Sequence, residues 1–206
     1  MSLPLPLEFA PMEAHPALEI PSGSEWQYEP KWDGFRALCF RDGESVAIRS
    51  KAGEDLARYF PEVVEALSEL AAEAFVLDGE LVVAIEGKAD FDALLQRIHP
   101  APTRIRKLAA QTPAQLILFD MLVADTRECL IGRALQVRRL ALDAFAREYL
   151  KDNDRIRLSP CTADLECAKR WFLEMAGGLD GIIAKQTQAA YEPGSRTAML
   201  KIKNYR

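Results

Sequence analysis

The sequence predicts an α+β fold in which antiparallel sheets are flanked by helices. Strand-like apolar runs occur in pairs joined by turn residues, as in hairpins. The helical segments between them do not alternate one for one with strands, as a doubly wound parallel sheet would require. With 206 residues, 49% of them hydrophobic, the chain is long enough to bury one sizeable core, so we expect a single domain over residues 1–206.

The N-terminal third predicts an extended arm, a hairpin and a helix. Residues 1–25 contain five prolines and little apolar periodicity, which predicts an arm that runs over the surface. Residues 35–41 and 44–49 form two strand-like runs joined by Asp42-Gly43, a dipeptide typical of hairpin turns. Pro61 suits a first helical turn, and the apolar spacing that follows predicts a helix over 61–72.

The middle of the chain predicts two short strands, two helices and a buried strand. Residues 75–77 and 81–84 are strand-like and flank Asp78-Gly79-Glu80. Helices are predicted over 91–98 and 103–110, the second of them basic, and the apolar run 116–123 predicts a buried strand.

The C-terminal part predicts two helices and three strands. Helices over 134–150 and 164–175 flank a short strand at 155–159, and Gly177-Gly178 is typical of a helix C-cap. Strands over 181–185 and 198–203 end the chain.

Composition limits the classes of protein to which the chain can belong. The net charge of −5 argues against a protein that coats nucleic acid by charge alone. Positive charge is local, since Arg196, Lys201, Lys203 and Arg206 follow the last acid, Glu192; a basic binding surface and an ordinary solvated tail both fit this pattern. The absence of any apolar run near the ~20 residues of a membrane span predicts no membrane contact and an intracellular protein.

The four cysteines are scattered without a CxxC pair. Only His15 and His99 could join them as soft metal ligands. We therefore expect reduced structural thiols.

Lys31 is the candidate nucleophile. It lies between a strand end and the Asp33-Gly34 turn, with carboxylates on both sides. A lysine attacks phosphorus only as the neutral amine, so the site must lower its pKa from about 10.4 through burial or neighbouring cations, which Lys201 and Lys203 could supply. On its own, this tetrad also fits a solvated lysine before a common turn.

Five short motifs occur together and in a fixed order. They resemble motifs I, III, IIIa, IV and V of the covalent nucleotidyltransferases: Lys31-Trp32-Asp33-Gly34, Asp78-Gly79-Glu80, Leu118-Phe119-Asp120, Asp180-Gly181-Ile182-Ile183-Ala184-Lys185 and Leu200-Lys201-Ile202-Lys203. The residues in and around these motifs are most similar to those of bacterial ATP-dependent DNA ligases of the end-joining or stand-alone type. The resemblance covers residues 28–203 and implies an ATP-grasp-like nucleotidyltransferase fold.

The resemblance implies a role for each motif residue. Lys31 would form a lysyl-AMP phosphoramide, while Lys201 and Lys203, which share one face of a strand, would hold the α-phosphate. Each acid or apolar residue also has a plainer interpretation as a turn or core residue. The further implied roles are metal or ribose binding by Glu80 and Asp180, stacking of adenine between Phe119 and Ile183, recognition of the adenine amino edge by Glu29, and contact of Arg36 with the ribose or the reactive phosphate.

The sequence departs from the family pattern at three points. Lys51 of Ser50-Lys51-Ala52-Gly53 stands where the family has an arginine that grips the 5′ phosphate of the nick, so it keeps the charge without the bidentate fork. Asp180 stands where glutamate is commoner and reaches one methylene less far. The chain stops three residues after motif V, so we expect the C-terminal OB domain to be absent and its function to come from a separate protein, or the core to be only partly active.

These expectations combine into an ATP-dependent DNA ligase core. Lys31 would take AMP from ATP with Mg²⁺ or Mn²⁺ and pass it to a 5′ phosphate of nicked or broken double-stranded DNA in the bacterial cytoplasm, near the nucleoid. NAD⁺ is a poor candidate donor, because only 30 residues precede Lys31. The alternatives are an RNA ligase or capping-type nucleotidyltransferase, and a non-catalytic nucleotide- or DNA-binding repair module.

Overall fold

A computed structural model describes residues 2–174 and 179–204. Within these ranges the chain forms ten strands and five α-helices. The strands are β1 (His15–Pro16), β2 (Trp26–Trp32), β3 (Phe35–Asp42), β4 (Ser45–Ser50), β5 (Ala74–Ile85), β6 (Lys88–Ala89), β7 (Ala114–Val123), β8 (Ile156–Leu158), β9 (Leu179–Gln186) and β10 (Met199–Lys203). The helices are α1 (Pro61–Glu69), α2 (Phe91–Leu95), α3 (Pro102–Gln111), α4 (Leu135–Tyr149) and α5 (Leu165–Glu174).

The strands of the described residues form two sheets. One has the order β1-β10-β9-β2, and the other has the order β4-β3-β5-β7-β8 with β6 paired to β5. The expected antiparallel pairing is wrong at two edges, because β1 pairs with β10 and β7 with β8 in parallel. Parallel neighbours need a long crossover, which α4 provides between β7 and β8. The sheets are therefore mixed.

Several predicted boundaries change in the structure. Asp78-Gly79-Glu80 lies inside the continuous strand β5, because all three residues pair with β3 on one side. The hairpin turn is Gly43-Glu44, one residue later than expected, since Asp42 pairs with Ser45. Helix α1 ends at Glu69 and α2 at Leu95, each three residues early. The expected cap at Gly177-Gly178 lies outside the described residues.

Helices cover the outer faces of both sheets. An apolar cluster that includes Cys39, Leu67 and Leu142 lies between the six-stranded sheet and α1 to α4. A smaller cluster joins α5 to the four-stranded sheet. The opposite face of the six-stranded sheet packs against the N-terminal arm and β10, where Leu5 and Met12 are buried. The arm thus supplies core residues as well as surface.

A glycine joins the two sheets. Strand β2 belongs to the four-stranded sheet and β3 to the other, so the chain crosses between them at residues 33–34. A Cβ on Gly34 would lie 2.1 Å from the carbonyl oxygen of Leu81, so no other residue fits this close approach. The crossing opens a cleft beside the end of β2. No helix in the described part of the chain has the length and apolarity that a membrane span requires.

Candidate active site

A cavity of about 240 Å³ lies between the two sheets. Its walls come from the N-terminal arm, from β2, β9 and β10 of one sheet, and from β3, β5 and β7 of the other. Eight of the ten predicted site residues line it: Glu29, Lys31, Arg36, Lys51, Glu80, Phe119, Ile183 and Lys201. The other two are Asp180, which binds Lys31, and Lys203, which contacts Asp180.

Register places the four-stranded sheet's site residues in rows across three strands. Lys31 on β2 is opposite Gly181 on β9, and Gly181 is opposite Lys203 on β10. The next row holds Glu29, Ile183 and Lys201. Because alternate residues of a strand face the same side, these two rows point into the cleft together.

Asp180 binds the amine of Lys31. The Lys31 Nζ donates to Asp180 Oδ2 at 2.5 Å, and the Lys203 Nζ lies 3.3 Å from the same oxygen. Burial alone would raise the pKa of Asp180, but the hydrogen bond and charge of Lys31, together with Lys203, hold it below its usual value. The Lys31 side chain is 19% exposed, and its contact is that of an ammonium with a carboxylate, so the neutral amine needed for attack requires loss of a proton.

Gly181 allows the strands beside Lys31 to come together. Its φ is +143°, and a Cβ there would lie 1.9 Å from the carbonyl oxygen of Ile202. L-residues with side chains avoid this backbone region, so both strain and collision require glycine. The glycine therefore fixes the spacing of Lys31, Asp180 and Lys203.

A β-bulge turns Phe119 into the cavity. Asp78 pairs with Asp120 and Gly79 pairs with Leu118, which leaves Phe119 as the extra residue of β7. The ring is half-buried and lines the cavity with Ile183, as adenine stacking would need. The aromatic and aliphatic surfaces expected from the sequence are thus brought into one pocket.

Glu29 is buried and engaged by its neighbours. Its carboxylate accepts from Gln27 Nε2 at 2.9 Å and lies 2.7 Å from the ammonium of Lys185, which is also 4.6 Å from the centre of the Phe119 ring. The side chains of Glu29 and Lys185 are 2% and 5% exposed. A buried charge is tolerated when paired in this way. Lys185 is therefore part of the pocket, although the motif alone assigned it no role.

Arg36 lines the cavity and is bound by Asp78. Two guanidinium nitrogens bind the Asp78 carboxylate at 2.5 and 2.6 Å, and one also donates to the Met12 carbonyl at 3.1 Å. The hydroxyl of Tyr191 donates to the same carboxylate at 2.6 Å. Arg36 lines the cavity, with its guanidinium carbon 4.8 Å from the centre of the Phe119 ring. A bidentate pair of this kind fixes the guanidinium as part of the pocket wall.

Glu80 and Lys51 also line the cavity. Burial raises the pKa of Glu80 to about 7, although the charges of Arg36 and Lys31 lower it. The amine of Lys51 is 2.8 Å from Glu13 of the N-terminal arm, and Arg196 binds the same carboxylate at 2.7 Å. Glu13 was not predicted from the sequence, because proline-rich arms rarely carry site residues and no motif marks it.

Residues 10–203 match the family model for the ATP-dependent DNA ligase domain. The chain belongs to this family. As a ligase domain, it is similar to DNA ligase C of Mycobacterium tuberculosis, with 43% identity over 100% of this chain and 57% of that protein. It is also similar to a DNA ligase of Thermococcus fumicolans, with 34% identity over 88% of this chain and 33% of that protein. The ligase domain thus spans little more than half of the first relative.

Solved structures show the same fold. The ligase domain of LigD from M. tuberculosis superposes with a TM-score of 0.75 and 28% identity, over 96% of this chain and 61% of that one. A mycobacterial DNA ligase D complexed with ATP and MES gives a TM-score of 0.72 and 26% identity, over 97% of this chain and 62% of that one. The nucleotidyltransferase fold expected from the motifs is confirmed.

The ligase domain offers two carboxylates to a metal ion. The charge of Lys31 acts to lower the pKa of Glu80, and Asp180 binds the Lys31 amine, so both carboxylates are near the candidate nucleophile. Among the described residues, no group of three or more His, Cys, Asp or Glu side chains could hold a metal, and the four cysteines are free. Magnesium needs few protein ligands, because water and phosphate complete its shell. The residues fit an ion held jointly with nucleotide phosphates.

Proposed function

We propose that this ligase domain is the adenylation core of a DNA ligase, with Lys31 as the residue that takes up AMP. The observation that supports this most directly is the position of the Lys31 amine. It lies in the 240 Å³ cavity that Phe119 and Ile183 also line, with a carboxylate at 2.5 Å, Lys203 of β10 in its own row and Lys201 in the next. A surface lysine in a simple turn would have none of these neighbours.

The first step forms a bond between Lys31 Nζ and the α-phosphorus of ATP and breaks the bond from that phosphorus to pyrophosphate. The ammonium must first give up a proton, and Asp180 is within hydrogen-bonding distance to receive it. Lys201, which lines the cavity, and Lys203, which contacts Asp180, would stabilise the negative charge that grows on the α-phosphate. Stacking between Phe119 and Ile183 would orient the base.

Mg²⁺ or Mn²⁺ held near Glu80 and Asp180 would supply positive charge to the phosphate oxygens. Glu29, as a buried carboxylate, can accept a hydrogen bond from the amino group of adenine. Gln27 and Lys185 hold Glu29 in place for this. The pocket thus suits the donor nucleotide of the family.

The next two steps use DNA. The 5′ phosphate of a nick or break would displace Lys31 from AMP, and the 3′ hydroxyl would then displace AMP to form the phosphodiester. Lys51, at the mouth of the cavity, is the proposed contact for the 5′ phosphate. Similarity to the "Multifunctional non-homologous end joining DNA repair protein LigD" of Mycobacterium tuberculosis, 29% identical over 92% of this chain and 23% of that protein, supports a role in bacterial DNA repair. We propose that OB-domain function comes from a part of the protein outside these residues or from a partner.

Labelling tests the proposal. The chain is incubated with α-labelled ATP and Mg²⁺, denatured and separated, with Lys31→Ala as the test variant and Lys151→Ala, an exposed lysine, as the matched control. We expect a covalent label on the wild type and on the control, and none on Lys31→Ala. The label should move to a 5′-phosphorylated nicked duplex when it is added.

Three outcomes would contradict the proposal. Reversible ATP binding without any adduct would indicate an idle binding module. Stronger labelling by GTP would indicate a capping-type enzyme. Transfer of the label to nicked RNA in preference to nicked DNA would indicate an RNA ligase.

A further inference from the structure

A long stretch of the chain is free of acidic residues. From Ala93 to Phe119 the sequence has no aspartate or glutamate, although the whole chain carries a net charge of −5. Its cations belong to the region around α3. Together with Arg58 from the turn before α1, the exposed side chains of His99, Arg104, Arg106 and Lys107 form what we call the basic patch.

The fold anchors the basic patch rigidly. Ile105 of α3 is buried in the main apolar cluster, so the neighbouring cations of the helix are directed outward. The guanidinium of Arg58 lies 4.5 Å from the centre of the Tyr59 ring. The Tyr59 hydroxyl in turn lies 3.3 Å from Nδ1 of His99, three residues before α3. The members therefore belong to one surface and not to separate loops.

A chain of contacts places the basic patch beside the nucleophile. Phe35 follows the turn after Lys31, and its ring lies 6.4 Å from that of Phe60 and 5.6 Å from that of Phe91. Phe60 is next to Tyr59, and Phe91 opens α2, which leads to His99. The basic patch therefore lies at the end of β3 that adjoins the active site.

The arginine and lysine charges of the basic patch are not neutralised by ion pairs among the described residues. Among the described residues, none of the five forms an ion pair with a carboxylate, whereas Lys51, Arg127 and Arg196 each do. Unneutralised cations on a rigid face of an acidic protein suit a polyanion, whose bound counterions are released on contact. Arg104 and Lys107 lie one helical turn apart on α3, so they can contact successive phosphates of one strand.

We propose that the basic patch binds the phosphodiester backbone of the DNA duplex that carries the break and holds it alongside the Lys31 turn. This rests on the proposed function and adds a place for the substrate outside the nucleotide pocket. The contact is with phosphates, so it is independent of base sequence and weakens as salt increases.

A pair of charge reversals tests it. The test variant is Arg104→Glu/Lys107→Glu, and the matched control is Arg147→Glu/Lys151→Glu, which changes the net charge equally. The control residues lie near Leu70, which follows the C-terminal end of α1. The carbonyl of Leu70 accepts a hydrogen bond from Arg41, which is near the end of β3. That end of β3 is seven residues from Phe35, about 23 Å at roughly 3.3 Å per residue.

The measurements are the affinity for a 5′-phosphorylated nicked duplex between about 50 and 200 mM salt, and the labelling of Lys31 by ATP without DNA. We expect the test variant to bind the duplex about 10-fold or more weakly and to lose about 0.9 from the salt slope for each phosphate contact removed. The control should change by less than about 3-fold, and ATP labelling should be unchanged in both variants.

Equal loss of affinity in the two variants, no loss in either, or no measurable binding by the wild type at about 50 mM salt would overturn the inference. Competition by poly-glutamate as strong as that by duplex DNA would overturn it in favour of an acidic protein partner. Failure of Lys31 labelling would refute the proposed function, yet a selective loss of duplex binding in the test variant would still support the basic patch.

Discussion

Arg138 and Asp120 form a buried ion pair next to Phe119, and breaking it should destabilise the domain strongly. The guanidinium binds both carboxylate oxygens, at 2.8 and 2.9 Å, and each side chain is 3% exposed. Arg138→Met would leave the Asp120 carboxylate buried with the Met121 amide as its hydrogen-bond donor among the described residues. Removing one partner of a buried pair costs about 3–5 kcal/mol, because the remaining charge is uncompensated.

The matched control is a surface pair on the same segment. Arg133 and Glu128 are 3.0 Å apart, with side chains 59% and 53% exposed. Exposed pairs contribute about 0–1 kcal/mol, so Arg133→Met should have little effect. In urea denaturation with a slope of about 2 kcal/mol per M, Arg138→Met should lower the midpoint by about 1.5–2.5 M, and Arg133→Met by less than about 0.5 M.

The double variant Asp120→Asn/Arg138→Met separates the buried charge from lost packing. It should recover part of the midpoint, because an amide needs no counter-charge. Equal midpoints for Arg138→Met and Arg133→Met, or no recovery in the double variant, would refute the reasoning.

Three further predictions concern the site. Phe119→Ala should weaken ATP binding about 5- to 150-fold in calorimetry, since stacking on an aromatic ring contributes about 1–3 kcal/mol; unchanged affinity would exclude the stacking role. Gly181→Ala should abolish either the labelling of Lys31 by ATP or folding, as measured by circular dichroism, because the added Cβ would lie 1.9 Å from the Ile202 carbonyl oxygen. Gly132→Ala, where a Cβ would meet open space, should behave as wild type. The pKa of Glu80 is raised from 4.5 to about 7 in the folded state, so its contribution to stability is present below about pH 4.5 and is lost as pH rises through about 7. Glu80→Gln should therefore flatten this part of the curve of unfolding free energy against pH, measured without metal. A curve that the substitution leaves unchanged would contradict this prediction.

The local pattern of the sequence was enough for much of the architecture. The i, i+2 spacing of Lys201 and Lys203 predicted that both face one side of a strand. The register of β10 agrees with this, because Lys201 lies in the row of Glu29 and Lys203 in the row of Lys31. The apolar spacing after Pro61 predicted α1, and the strands β7, β9 and β10 lie where the apolar runs predicted them. Such signals depend on neighbours a few residues apart, so they can be read without knowing the fold.

The motif acids show where local pattern fails. Asp78 and Glu80 are next to a glycine and resemble turn residues, yet both lie inside β5 and point toward the cleft. Asp78 and Asp120 are buried and bind Arg36 and Arg138, so their carboxylates are engaged within the protein. The sequence shows that these acids are present, but it does not show which side chains they contact.

The sequence by itself supplied the candidate groups: a lysine expected to be the nucleophile, two further lysines on one strand face, and acids and an aromatic residue in the order that the family motifs have. The tertiary structure alone decided how these groups meet, through the ion pair of Lys31 with Asp180, the bulge that turns Phe119 into the cavity, and the arm that brings Glu13 to Lys51. The physical reason is separation along the chain. Lys31 and Asp180 are 149 residues apart, and their contact depends on the pairing of β2 with β9 and on the close approach that Gly181 permits.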